Sequence, residues 1–313
     1  MLRLRVVCPA SRTEAALTVL RDHPGATHLV LLRGAAIDPE GDLLTADVAR
    51  ESVDEVVGAL CRLGIDRAGG ITIETIDTSL SDAADQAQEN APGDGSDAIV
   101  WDELLARTGE ESKPSVTFQA FLTIACLLAA VGVATNSTIT IVGAMVVGPE
   151  FGPLAAIAVG LVARRWDLVR RAAAALAIGF PLAMAFTSAL TWLGAGAGLL
   201  DRETLLHGTE SEFIYQFGPF SLIVALLAGA AGMLSMTSAK SAALVGVFIS
   251  VTTVPAAGYA ALAAVLGVWD RVGPAVAQLG INLIGIVAAA AFVLLIRHRR
   301  ATDGVSTRPL SRG

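Results

Sequence analysis

Charge is what this chain has least of. Only 16% of its 313 residues are Asp, Glu, Lys or Arg, against about 25% in soluble domains, while 54% are hydrophobic. The shortage is local: residues 1–115 hold an ordinary mix of Arg, Asp and Glu, and long windows beyond them hold none. One part therefore reads as soluble and the other as embedded in lipid. Cysteine is scarce too. Cys8, Cys61 and Cys126 show neither metal-ligand nor redox spacing, which leaves them as small buried hydrophobes. Phosphate loops, nucleophile elbows and His/Cys/acid clusters are missing from the apolar segments, so neither an enzyme nor a cofactor is expected. The first domain lacks a basic patch interleaved with aromatics, which argues against nucleic acid as a partner. The opening MLRLRVVCPASRTEAALTVL lacks the apolar core of a signal peptide, so the first domain is expected in the cytoplasm.

What is present begins with a small α+β domain. Leu2–Val7 alternates apolar and polar, the mark of a half-buried strand. Arg12–Arg21 carries a helical apolar face, with Ser11 as its cap. Thr27–Leu32 and Leu43–Val48 read as strands joined by the turn Asp38-Pro39-Glu40-Gly41-Asp42. Ser52–Leu63 is a second amphipathic helix and Ile71–Ile76 a closing strand. The order β-α-β-β-α-β is the ferredoxin-like split arrangement, which serves sensing, interaction and purely structural roles alike. His23 and His28 flank Pro24-Gly25 in a loop and read as surface residues. Residues 78–98 have almost no large apolar side chain and read as flexible linker. A short amphipathic helix with Trp101 at the lipid headgroup level precedes Pro114. The expected domains are thus 1–78, a linker 79–115, a membrane all-α bundle 116–297 and a basic tail 298–313.

A spanning helix needs about 20 mainly apolar residues. Six segments qualify: Val116–Ala134, Thr138–Ala163, Ala172–Leu193, Gly218–Met236, Ser241–Trp269 and Pro274–Ile296. The loop Arg164–Arg171 has four arginines, the next loop on that side has Lys240, and the tail starts Arg297-His298-Arg299-Arg300. The other side holds Asp201, Arg202, Glu203, Glu210 and Glu212 in one loop, and Asp270 with Arg271 in another. Six crossings put every basic loop, the head and both termini in the cytoplasm, in a bacterial inner membrane.

An internal repeat emerges from the same segments. Ile141-Val142-Gly143-Ala144-Met145 matches Leu244-Val245-Gly246-Val247-Phe248, each after a polar turn and before a proline-interrupted stretch. The shift of 103 residues also brings span one onto span four and span three onto span six. Three spans per unit insert the two halves in opposite senses, as in many secondary transporters whose sites lie at paired helix breaks.

The most informative stretch is Gly148-Pro149-Glu150-Phe151-Gly152-Pro153, in which two prolines each remove a backbone donor. Freed backbone groups inside a membrane need protein or trapped water as partners. Glu150 falls near mid-depth, where an intramembrane carboxylate costs at least about 2.5–3.5 kcal/mol and marks a functional site by default. Three readings stand for it: ion or proton handling, a protonated acid bonding a broken-helix carbonyl, or a position beside an aqueous vestibule. The repeat sets Glu150 against Thr253, with Ser250 and Thr252 nearby and Pro255 as the counterpart break. Asn136 and Ser137, Pro149 and Pro153, and Asn282 within the last span complete the candidate set. Asn282 suits an interhelical hydrogen bond as well as a ligand.

These segments resemble the bacterial membrane family called domain of unknown function 389, a conserved hydrophobic domain. The residues that carry the likeness are Asn136-Ser137, Ile141–Pro149 with Gly152-Pro153, Ser241–Val254-Pro255 and Gln278–Leu283, over roughly Val116–Ile296. The family pattern often has an uncharged residue where Glu150 stands, and two consecutive prolines where this chain has Val254-Pro255. The resemblance implies a multi-pass membrane architecture and makes a carboxylate mechanism a subgroup feature. Two functions compete. In the first, the bundle carries a small solute or ion past Glu150, Thr252 and Thr253 under control of the head. In the second, the head binds a ligand or partner and the membrane part forms a homo-oligomer that senses or scaffolds.

Overall fold

Alternation builds the head. In the computed structural model, which describes residues 1–76, 78–91, 99–200, 202–207, 218–237 and 253–306, strand β1 spans Leu2–Cys8. Leu2, Leu4, Val6 and Cys8 are buried on one face, while Arg3 and Arg5 project from the other. β2 (Ala26–Ile37), β3 (Glu40–Val48) and β4 (Gly70–Thr75) complete a fully antiparallel sheet in the order β2-β3-β1-β4. Leu4 pairs Ala46 on one side and Ile73 on the other. α1 (Thr13–Asp22) and α2 (Val53–Arg62) lay Ala16, Leu20, Val53, Val56 and Leu60 onto the buried face. α3 is the single turn Ile65–Ala68.

Three features of the head depart from expectation. β2 and β3 run past the expected turn and pair as far as Ile37 with Glu40, with register shifts along β2. His28 takes a positive φ of 50° in β2, where its ring bonds Asp47 at 2.9 Å and the Ser81 hydroxyl at 2.8 Å. Asp47 also takes the Arg3 guanidinium; burial pushes its carboxyl up, but the bonds from Arg3 and His28 prevail and hold it low. Cys61 is exposed, whereas Cys8 and Cys126 are buried as expected.

The expected linker holds a helix, α4 (Asp82–Asn90). Asp82 and Asp85 in its first turn complement the positive helix end, and small Ala84 and Ala87 are buried. Residues 92–98 lie outside the described residues. α5 (Trp101–Glu111) follows and is longer than expected. Trp101 donates its backbone N–H to Asp54 and sets its ring edge-on to His298 at 5.2 Å.

The chain divides into two compact units, the second covering residues 105–236 and 241–297. Here α6 is Val116–Ala134, started by the Ser115 hydroxyl, which accepts from Phe118 N–H. α7 (Thr138–Val147) and α8 (Phe151–Val162) meet at a 50° bend. α9 spans Trp166–Gly196 and α10 is Arg202–His207. α11 (Pro219–Thr237), α12 (Thr253–Val265) and α13 (Trp269–Ser306) follow. Four of these helices are long and apolar enough to cross a membrane, or five spans in all if the α7–α8 pair is one, and α12 is a shorter apolar helix. The remainder of the expected fifth span, with Lys240, Ser250 and Thr252, lies outside the described residues. α13 also continues through the start of the expected basic tail to Ser306, with no proline after Pro274 to stop it before Pro309.

Close packing at small residues makes the membrane core. α12 packs on α6, α7 and α9, and Tyr259, Ala256 and Ala260 join Leu122, Cys126 and Ala129 in one buried cluster. At Gly258 a side chain would meet the Cys126 carbonyl at 2.6 Å, so only glycine permits this approach.

Candidate functional site

The break between α7 and α8 follows from its sequence. Pro149 pushes the preceding Gly148 out of helical geometry, to φ −63° and ψ 128°, and α7 ends at Val147. Glu150 then occupies the N-cap position of α8. Pro153 lies in the first turn of α8, where backbone N–H groups have no intrahelical partner. Contrary to expectation, it therefore removes no helical bond, and Pro149 alone makes the break.

Glu150 is fully buried, as is Thr253. The Thr253 hydroxyl donates to Glu150 Oε1 at 2.5 Å across 103 residues of chain. This joins the α7–α8 break directly to the first described residue of α12, and Pro255 lies buried two positions on. Glu150 sits at the N-terminal end of α8, the end that carries the partial positive charge of the helix, but its side chain does not cap it. The group is a buried acid with a hydroxyl partner, chemistry suited to taking up and releasing a proton or to holding a small cation. Among the described residues no set of three or more His, Cys, Asp or Glu side chains could hold a metal ion.

The other candidates separate. Asn136 and Ser137 belong to the α6–α7 turn. Asn136 adopts φ 49°, and the Ser137 hydroxyl caps α7 by accepting from Thr140 N–H at 3.3 Å. Asn282 is buried in α13 and accepts from Gln278 Nε2 at 3.4 Å, so its expected polar contact includes a bond within its own helix. Gln278 was not singled out as a site residue, although two amides at i and i+4 of an apolar segment share one helix face. A further missed group is Arg271, which donates to the Leu205 carbonyl at 2.7 Å and to the Tyr259 hydroxyl at 3.2 Å. A lone arginine next to Asp270 at a span end reads as interfacial from sequence, which hid this contact.

Residues 145–288 match the family model described as "Domain of unknown function (DUF389)". The family suggested by the motifs is thereby shown for this segment, which begins just ahead of the break and contains Glu150, Thr253, Gln278 and Asn282. No curated protein and no solved structure matches the chain.

Proposed function

We propose that this is a multi-pass membrane protein that moves a small solute or ion, with Glu150 and Thr253 forming its central site. The observation that carries the reading is the hydrogen bond between those two side chains. They are the pair that an inverted repeat of three-helix units sets at equivalent positions, and inverted repeats with sites at their breaks characterise secondary transporters.

Further features support the repeat at the same spacing of 103 residues. α6 starts at Val116 and α11 at Pro219; α8 ends at Val162 and α12 at Val265; α9 starts at Trp166 and α13 at Trp269. The turns between the last two pairs also agree. Arg164 and Gly267 both have positive φ, at 56° and 73°. Arg165 N–H bonds the Gly160 carbonyl just as Val268 N–H bonds that of Ala263. In this reading the bundle has six crossings, with the basic loops, the head and both termini in the cytoplasm. The strand order of the head, with two helices on one face of the sheet, supports a ferredoxin-like regulatory domain.

Proton flux into pyranine-loaded proteoliposomes tests the site. Glu150→Gln keeps the shape and the ability to accept from Thr253 but cannot ionise. It is expected to reduce flux by about tenfold or more, the scale of a lost proton-transfer group. Flux equal to the unmodified protein would remove Glu150 from the mechanism.

A further inference from the structure

The buried faces of α9 and α13 are not uniformly apolar. On α13, Gln278 and Asn282 are both buried, and the same face continues as Ile286, Ala290 and Leu294. On α9 the order is reversed: Ala172, Leu176 and Phe180 come first, then Thr187 and Thr191. The polar residues thus gather at the C-terminal part of α9 and the N-terminal part of α13. In the six-crossing reading above, on which this inference rests, both parts lie in the outer half of the membrane.

Two polar atoms in these stretches, Gln278 Oε1 and Thr187 Oγ1, are buried with no hydrogen-bond partner among the described residues. Polar side chains within a span face the bundle interior or a water-filled cavity, and an unpaired acceptor suits the second. The Gln278 amide nitrogen donates to Asn282, and its unpaired Oε1 is the acceptor it offers. A solute met there must donate a hydrogen bond.

Above these residues sits a clasp. Arg271 precedes Gln278 by two helical turns on the same face, and its guanidinium ties α13 to the α10 carbonyl of Leu205 and to the fully buried Tyr259 of α12. The positions 103 residues earlier are Leu168 and Ala156, which have no polar side chain to form such a link. Only one end of the repeat carries a clasp of this kind.

We infer that the outer parts of α9 and α13 wall the outward branch of the solute path, at which Gln278 binds a small hydrogen-bond-donating solute. The Arg271–Tyr259–Leu205 clasp is the lid of that branch, and it is shut in this structure. Thr187 and Thr191 contribute hydroxyls to the wall, and the path leads inward toward Glu150.

Cysteine labelling tests this without any need for transport. Gln278→Cys is placed in full-length protein with Cys8, Cys61 and Cys126 replaced by Ser, in right-side-out vesicles, and exposed to a charged, membrane-impermeant methanethiosulfonate. Modification is expected to be slow with the clasp intact. It should accelerate by about tenfold or more with Arg271→Ala, and likewise with the milder Tyr259→Phe, a population shift toward the open state. Ile286→Cys, further along the same face, should stay unmodified in every background. A monodisperse gel-filtration profile in detergent shows that each variant is folded. Equal rates with and without the clasp would overturn the lid. Modification of Ile286→Cys as fast as Gln278→Cys, or of neither in any background, would overturn the path. Modification only from the cytoplasmic face would overturn the orientation on which it rests, while Glu150-dependent flux would still stand or fall by its own measurement.

Discussion

Two acids of the head titrate in opposite senses, because their surroundings differ. In the head, Asp54 lies on α2 and accepts from Trp101 N–H with both oxygens, at 3.1 and 3.4 Å. Burial pushes its carboxyl up to about 6, aided by the Asp102 charge and opposed by the Trp101 N–H and by Arg50. An unfolded Asp titrates near about 3.9. Between these values the folded state holds more proton than the unfolded one, so its contribution to stability is full below about pH 4 and is lost as pH rises through about 6. Thermal unfolding of the full chain should therefore show a lower midpoint at pH 7 than at pH 5, and Asp54→Asn should remove most of that difference. A difference that survives the substitution would assign it elsewhere. Asp42 works in the opposite sense. The Thr13 hydroxyl and Gly34 N–H lower its carboxyl, so its contribution is present above the unfolded value and is lost in stronger acid.

At the scale of elements, α12 and α6 depend on close backbone contact. A Cβ at Gly258 would meet the Cys126 carbonyl and the Ala129 side chain, both in α6. Replacement by Ala forces α12 away from α6, an overpacking cost of about 1–3 kcal/mol. Gly280 on α13 has open space at the same distance, so Gly280→Ala should be neutral to mildly stabilising through helix propensity. Denaturation in mixed detergent compares the two, and equal losses would show that close approach at Gly258 is not what holds the pair. α4 shows the converse case, a helix with little apolar surface of its own. Its composition reads as linker because the signal for a stable helix is a large apolar face, which Asp82–Asn90 lacks. The helix forms nonetheless, with two acids in its first turn, two buried alanines and packing against β2.

For the whole molecule, the proposed division of labour puts the site in the membrane unit and control in the head. Deleting residues 1–95 should leave Glu150-dependent flux measurable in proteoliposomes, with an altered rate. Complete loss of flux in a well-folded deletion would instead favour the reading in which the head carries the function.

Much of this was legible along the chain. Apolar runs identify the membrane helices because lipid accepts a backbone only when its polar groups bond internally, so length and hydropathy nearly suffice. Period-two alternation likewise marks β1, whose two faces meet different surroundings. The hydrogen bond between Glu150 and Thr253 joins two residues that the motif match had set 103 positions apart. What the chain alone left open are the facts that depend on which surfaces meet. Pro153 looks like a helix breaker but falls where no bond is lost. Asn136 and Ser137 look like site residues but are engaged by a turn. Arg271 reads as interfacial until Tyr259 and Leu205 are brought beside it. A hydrogen bond needs two groups within about 3 Å, and side chains from distant stretches come that close only through packing.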